Sequence, residues 1–331
     1  MSALQGGKTD HTLLSIVSVV RSPKSGVRSP KSDLLRASLD RLYHGFNHAQ
    51  SATDPIELVR SYASRDDREI AGFIASALAF GNVRAVMASI RDVLGRMGAS
   101  PAAFVRSFTP ESSAFDGFVH RWTRGRDVAA LVWVLRQMLD RSGSIEGFFL
   151  EGDDPASPDV AVGLESFSRR ALALDVTPFY GRGRQPATGV RYFFSRPSSG
   201  GACKRLNLYL RWMVRRDAVD LAVWTGVAPS RLVVPLDTHV IRLGQCLGLT
   251  RYRSPGWRMA SDITATLREM DPHDPVRFDF SICHVGMMGN CGFGEKKRDR
   301  DCPFRGACRP GALTQSAARK PPASLRPSSR R

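Results

Sequence analysis

The spacing of apolar residues is the feature of this chain that most narrows the folds open to it. In residues 66–80, Ile70, Phe73, Ile74 and Ala77 recur at the intervals that place side chains on one face of an α-helix. No run of alternating apolar and polar residues indicates a sheet. The sequence therefore predicts an all-α fold. Comparable patterns predict further helices over residues 33–44, 54–62, 83–97, 127–139, 162–174, 205–215, 219–224, 238–247, 257–270 and 275–288.

Two segments carry residues that point to chemistry. In SSGGACKRLNLYLRWMVR (198–215), a turn containing Gly200 and Gly201 leads to Lys204 at a predicted helix start. Backbone N–H groups at such a turn can hold a phosphate oxygen. In VVPLDTHVIRLGQCLGL (233–249), Asp237 is the predicted N-cap of the next helix. Taken singly, a surface lysine and an ordinary helix cap are the alternative interpretations of Lys204 and Asp237.

Together, these segments resemble the helix-hairpin-helix DNA glycosylase superfamily, which includes endonuclease III and 8-oxoguanine glycosylase. In that family a glycine-rich hairpin ends in a lysine, and a Pro/Val-x-Asp-x-His segment opens a later helix. KRLNLYL and LDTHVIRLGQCLGL are similar to these two elements, and REIAGFIASALAFGN (68–82) is similar to the family's early helix and its DNA-edge loop. Residues 33–310 as a whole resemble most closely a bacterial branch of the superfamily that has no characterised member.

The resemblance implies a two-lobed helical fold with a cleft between the lobes. Residues 54–236 would form a helical barrel lobe that carries the glycine-rich hairpin. Residues 33–53 and 237–310 would form the terminal lobe, which carries a cysteine cluster. Residues 1–32 and 311–331 are rich in basic residues, proline and serine, and are predicted to be disordered tails.

The same resemblance implies excision of a damaged base that has been flipped out of duplex DNA. Lys204 would attack the sugar carbon, and AP-lyase cleavage of the strand could follow. Asp237 would stabilise the positive charge that develops on the sugar. Two alternatives stay open: a non-catalytic DNA-binding protein on the same fold, and a scaffold or interaction module that recruits partners through its basic tails.

The predicted DNA contacts flank Lys204 or lie near it in the implied fold. An apolar residue at the end of the early helix would act as a wedge beside the flipped base. Asp217 and Asp220, in the long segment between Lys204 and Asp237, are expected to pair with Arg215 or Arg216. The predicted DNA-binding residues are Gly200, Gly201, Arg205, Arg211, Arg215 and Leu78.

Four of the six cysteines lie near the end of the body, which suggests a metal site in a reducing compartment rather than disulfides. The four candidate ligands are Cys283, Cys291, Cys302 and Cys308. Endonuclease III ends in four cysteines that hold a [4Fe–4S] cluster, and the resemblance implies such a cluster here. Asp299 occupies the place of the family's second ligand, so zinc or no metal are the alternatives.

The charge of the chain favours a polyanionic partner. Of the formal net charge of +17, the segments 1–32 and 311–331 contribute +4 and +5, and the body contributes +8. No apolar run approaches the length that crosses a bilayer. We therefore expect a monomer that binds double-stranded DNA, does not bind membranes, and lies in the cytoplasm with the nucleoid.

Overall fold

The computed structural model describes residues 30–48, 54–182, 189–291 and 301–308. These residues fold into thirteen α-helices and one two-stranded hairpin, so the predicted all-α class is confirmed. In chain order the elements are α1 (Pro30–Phe46), α2 (Ile56–Arg60), α3 (Arg65–Leu78), α4 (Val83–Met97), α5 (Pro101–Ser107), β1 (Val119–His120), β2 (Thr123–Arg124), α6 (Gly125–Ser142), α7 (Ile145–Leu150), α8 (Ala161–Ala171), α9 (Thr177–Tyr180), α10 (Lys204–Val214), α11 (Thr238–Leu247), α12 (Trp257–Met270) and α13 (Asp279–Met287).

The predicted helix over residues 219–224 is wrong. This segment is irregular, with Ala222 at φ 51° and an isolated bridge between Leu221 and Arg216. The cause is the side chain of Asp217, whose Oδ1 accepts hydrogen bonds from the backbone N–H groups of Val219 (2.8 Å) and Asp220 (2.7 Å). A turn held in this way competes directly with the helical hydrogen bonds.

Helix α3 lies at the centre of the larger part of the core, packed against α2, α4, α5 and α10. Gly72 allows its close approach to α10, because a Cβ atom at this position would come within 2.7 Å of Cε of Met213. Elsewhere, α13 packs against both α1 and α11. The first helix of the structure is therefore anchored by the last one.

A buried carboxylate on α3 ties this helix to two distant segments. Oε1 of Glu69 accepts hydrogen bonds from the N–H of Glu146 (2.8 Å) and Nε1 of Trp224 (2.7 Å), and Oε2 accepts one from the N–H of Ile145 (3.0 Å). Glu69 thus satisfies the unpaired N–H groups that begin α7. Burial raises the pKa of Glu69, although these three donors oppose the shift.

Arg211 is buried in α10 and joins this helix to α13. Its Nε donates to Asp220 Oδ1 at 3.2 Å, and its Nη1 donates to both carboxylate oxygens of Asp279 at 3.0 and 3.1 Å. Although burial opposes it, the two carboxylates raise the pKa of Arg211. The guanidinium therefore stays charged in the interior.

Arg215, one turn later and also buried, holds three carboxylates. Its Nη2 donates to Asp217 (2.9 Å), its Nε donates to Asp274 (2.9 Å), and its Nη1 donates to Asp220. The expected pairing of Asp217 and Asp220 with Arg215 is confirmed. The two arginines share Asp220, so the Arg211 and Arg215 pairs form one network that joins α10, the segment after it, and the residues that lead into α13.

Replacing the shared carboxylate should destabilise the fold strongly. We expect Asp220→Ala to lower the free energy of unfolding by about 3 kcal/mol or more, because two buried guanidinium groups lose a common partner. The measurement is urea denaturation followed by circular dichroism. Arg216→Ala is the matched control, since Arg216 is exposed, and it should change stability by less than about 0.5 kcal/mol. Equal stability of the two variants would show that the network contributes little.

Candidate functional site

The glycine-rich turn ends where the sequence predicts, because α10 begins at Lys204. The N–H of Gly200 donates to the carbonyl of Pro197 (3.0 Å), and its carbonyl accepts from the N–H of Trp257 at the start of α12 (3.1 Å). Cys203 completes the turn in the left-handed region, at φ 49°. As a correction, the N–H of Gly200 is used within the turn and does not face a phosphate. Gly201 is exposed beside it, and its DNA contact stays a prediction.

Lys204 reaches across to the end of α3. Its Nζ donates to the carbonyl of Ala79 at 3.1 Å, and Nη1 of the neighbouring Arg205 donates to the carbonyl of Ala77 at 3.4 Å. Carbonyl groups at a helix C-terminus lack partners within the helix and attract positive charge. The side chain of Lys204 is half-buried, so its amine lies at the junction of α3 and α10 and keeps access to solvent.

Lys204 is also the only lysine between residues 32 and 295, a stretch in which every other strongly basic side chain is arginine. A guanidinium serves ion pairing and hydrogen bonding at least as well as an ammonium group, but it does not form a Schiff base. The amine at this position is therefore chemically distinct from every other strongly basic side chain between residues 32 and 295.

Asp237 caps helix α11. Its Oδ1 accepts hydrogen bonds from the N–H groups of His239 and Val240, both at 2.8 Å, which confirms the predicted N-cap. Its Oδ2 accepts from Sγ of Cys283 at 2.9 Å. The carboxylate is thus oriented on both sides, by a helix N-terminus and by a thiol of α13.

The contact with Asp237 changes the interpretation of Cys283. Burial raises the pKa of this thiol well above its ordinary value, and the Asp237 carboxylate raises it further. Iron–sulfur and zinc sites bind cysteine as the thiolate. In this structure the Cys283 thiol donates to Asp237, and its role as a metal ligand stays a prediction.

The structure does not bring the other three candidate cysteines together as metal ligands among the residues that it describes. Cys291 and Cys302 are buried and Cys308 is half-buried, whereas Asp299 lies outside the described residues. In the part of the chain that the structure describes, no three His, Cys, Asp or Glu side chains lie close enough together to hold a metal ion. The [4Fe–4S] cluster stays a prediction.

The Arg211–Asp279 ion pair connects the surroundings of Lys204 with those of Asp237. Lys204 and Arg211 are seven residues apart on α10 and share a helix face. Asp279 and Cys283 are four residues apart on α13 and also share a face. Since Arg211 binds Asp279 and Cys283 donates to Asp237, the face of α10 that carries the amine is joined to the face of α13 that orients the carboxylate.

Three predicted DNA contacts are buried and need correction. Arg211 and Arg215 keep only 3% and 1% of their surface exposed and bind aspartates, so neither guanidinium meets a phosphate. Leu78 is 1% exposed and belongs to the core, so it is not a wedge. The apolar pattern predicted helices at these positions, but it could not show that other elements of the fold cover these side chains.

Arg205 is turned inward as well. Its Nη2 donates to the carbonyl of Tyr192, and its guanidinium carbon lies 3.4 Å from the centre of the Tyr192 ring. Burial lowers the pKa of Arg205 to about 10, which leaves it charged at neutral pH. Arg205 therefore organises the surface beside Lys204 in place of the predicted phosphate contact.

Residues 54–288 match a family whose description reads "Protein of unknown function (DUF2400)". The chain belongs to this family. The DUF2400 region extends from the residues before α2 to the end of α13, so it contains both Lys204 and Asp237, whereas Cys291, Cys302 and Cys308 lie beyond it. No curated protein and no solved structure matches the chain. None of the helices that the structure describes is both long and apolar enough to cross a membrane.

Reasoning from the sequence missed two features of this DUF2400 site. The thiol of Cys283 as a partner of Asp237 left no sequence signal, because 46 residues separate them. The isolation of Lys204 among arginines was visible in the sequence and would have distinguished it from a surface lysine.

The contribution of the Asp237 cap to stability can be measured independently of any catalytic role of this residue. We expect Asp237→Ala to lower the free energy of unfolding by about 1 kcal/mol, because two N–H groups at the start of α11 lose their acceptor. Asp237→Asn keeps an oxygen in the same place and should stay close to wild-type stability. Thermal unfolding of the three proteins measures this difference. Wild-type stability of Asp237→Ala would contradict the capping geometry.

Proposed function

We propose that this protein excises a damaged base from duplex DNA, with Lys204 as the nucleophile and Asp237 as the carboxylate that stabilises the charged sugar. The observation that carries the proposal is the connection between Lys204, the only lysine between residues 32 and 295, and an oriented carboxylate, which runs through the buried Arg211–Asp279 contact. The sequence resemblance to the helix-hairpin-helix glycosylases points to the same two residues.

The chemistry requires that the amine leave its hydrogen bond with the carbonyl of Ala79. In its neutral form the Lys204 amine attacks C1′ of the flipped nucleotide and forms a new C–N bond. The bond from C1′ to the base breaks, and its electron pair leaves with the base, which takes up a proton. Asp237 stabilises the positive charge on the sugar while this occurs.

Strand cleavage follows from the resulting Schiff base. Ring opening leaves C1′ doubly bonded to the Lys204 nitrogen, which acidifies the protons on C2′. Loss of one of these protons expels the 3′ phosphate and breaks the strand. Lys204 is essential to this lyase step, because none of the arginines around it can form the Schiff base.

We further propose the two-lobed arrangement implied by the resemblance, with the substrate in the cleft between the lobes. The packing of α1 against α13, and of α13 against α11, supports a terminal lobe built from both ends of the described chain. Lys204 on α10 and Asp237 before α11 would then face the cleft from opposite lobes.

Borohydride trapping tests this proposal. The full-length wild type should form a reduced covalent complex with at least one member of a panel of lesion-bearing duplexes. Lys204→Arg should keep its affinity for the same duplex and form no complex, because it retains the charge and loses the amine. Asp237→Asn should release base about 10² to 10⁴ times more slowly while binding is unchanged.

Two results would contradict the proposal. One is a wild type that neither traps nor releases base from any lesion on the panel. The other is a Lys204→Arg variant that still traps, since this would locate the reactive amine in residues 1–32 or 296–331, where the remaining lysines lie.

A further inference from the structure

An exposed tryptophan lies at the tip of the β1–β2 hairpin. A two-residue turn, Arg121 and Trp122, joins the strands, with Arg121 held at φ 54°. Turns of this length need positive φ, and a non-glycine residue adopts it at some cost. Trp122 is 51% exposed, whereas the other four tryptophans are buried or half-buried. The hairpin therefore presents a large aromatic side chain to solvent.

Trp122 is part of an ordered aromatic cluster. Its ring stacks on Phe80, with 4.9 Å between centroids and 23° between planes. Tyr192 meets both rings edge-on, at 5.3 Å from Trp122 and 5.2 Å from Phe80. The three side chains form a surface that we call the aromatic platform: Phe80, Trp122 and Tyr192.

The aromatic platform is built on the end of α3 that also holds Lys204. Phe80 directly follows Ala79, the residue whose carbonyl accepts from Lys204. The ring of His120 bonds the carbonyl of Phe80 at 3.1 Å, and the guanidinium of Arg205 stacks on Tyr192. The platform and the proposed nucleophile are thus fixed by the same turn of backbone.

The charge beside the platform is positive. The guanidinium of Arg121 lies 5.6 Å from the centre of the Trp122 ring. Gly81, at φ 106°, gives it room, because a Cβ there would come within 2.9 Å of Nη1 of Arg121. Among the described residues, no carboxylate lies within ion-pair distance of Arg121. The guanidinium of Arg121 is therefore able to bind an anionic group of a partner.

We propose that the aromatic platform stacks an unpaired nucleobase of a DNA strand, with Arg121 facing the backbone phosphate beside that base. Nucleobases stack on aromatic side chains whatever their sequence, and an arginine next to the ring adds attraction for both base and phosphate. A protein partner would also use an exposed tryptophan. The unneutralised Arg121, the net charge of +17 and the adjacent Lys204 favour DNA.

This inference rests on the proposed function and extends it. It assigns to the hairpin the recognition of a base that has lost its pairing, within reach of the strand on which Lys204 acts. Stacking would hold the distorted part of the duplex at the site, and it would favour DNA in which a base is already unpaired.

The test compares two duplexes of equal length that differ by one unpaired thymine. Full-length wild type should bind the bulged duplex more tightly, with quenching of tryptophan fluorescence. Trp122→Ala should lose this preference, with affinity for the bulged duplex reduced about tenfold or more, while its affinity for the paired duplex stays within about twofold. Contributions of the basic tails cancel, since both duplexes carry the same backbone charge apart from one phosphate.

Two further variants control this experiment. Trp122→Phe keeps an aromatic face and should retain most of the preference. Val162→Ala removes an equally exposed apolar side chain on α8 (51% exposed) and should behave as wild type. Circular dichroism of each variant verifies that it is folded, because Trp122 lies at the surface and its replacement should leave the core intact.

Retention of the bulge preference by Trp122→Ala would overturn the inference, and so would equal binding of both duplexes by the wild type. Either result would indicate that the aromatic platform binds a protein partner instead of a nucleobase. Failure of this inference is distinct from failure of the proposed function. If Trp122→Ala loses the bulge preference but the wild type forms no borohydride-trapped complex, the stacking inference stands and the proposed enzyme activity is wrong. If trapping depends on Lys204 but Trp122→Ala keeps the bulge preference, the enzyme activity stands and the stacking inference is wrong.

Discussion

A buried ion-pair network built on Arg211 and Arg215 joins α10, the segment that follows it and α13. Arg211 on α10 and Arg215 directly after it place their guanidinium groups in the interior, where they face Asp217, Asp220, Asp274 and Asp279. Unpaired charges of this kind are very unfavourable in a protein interior. The segment after α10 and the start of α13 are therefore held where their carboxylates meet α10.

The same network determines which helices lie next to one another at the candidate site. By holding Asp279 against Arg211, it brings α13 next to α10, and α13 in turn presents Cys283 to Asp237. The carboxylate is oriented by a thiol and by the N-terminus of α11, while the amine of Lys204 is held on the carbonyl of Ala79. The two proposed reactive groups are each held by uncharged partners, and the buried arginines and aspartates nearby neutralise one another.

The end of α3 both binds the side chain of Lys204 and supports the aromatic platform. The carbonyl of Ala77 in its last turn accepts from Arg205. The carbonyls of Ala79 and Phe80, just after the helix, bond Lys204 and His120, so the end of α3 fixes the start of α10 and the β1–β2 hairpin. The aromatic platform is the outer surface of this junction. Carbonyl groups at a helix C-terminus attract positive charge, which explains why basic side chains lie here. The aromatic rings of the platform pack beside them, next to the proposed nucleophile.

Local sequence patterns were enough to predict the helical class, the bounds of helices such as α4, α11 and α12, the cap at Asp237 and the place of Lys204 at the start of α10. These follow from local rules, because apolar periodicity and capping act within a few residues. Which polar side chains are buried depends instead on long-range packing. Arg211 and Arg215 are indistinguishable in sequence from arginines that bind phosphate, and their partners lie as many as 68 residues away. The contact of Cys283 with Asp237 and the stacking of Trp122 on Phe80 are likewise long-range, so no local pattern could have revealed them.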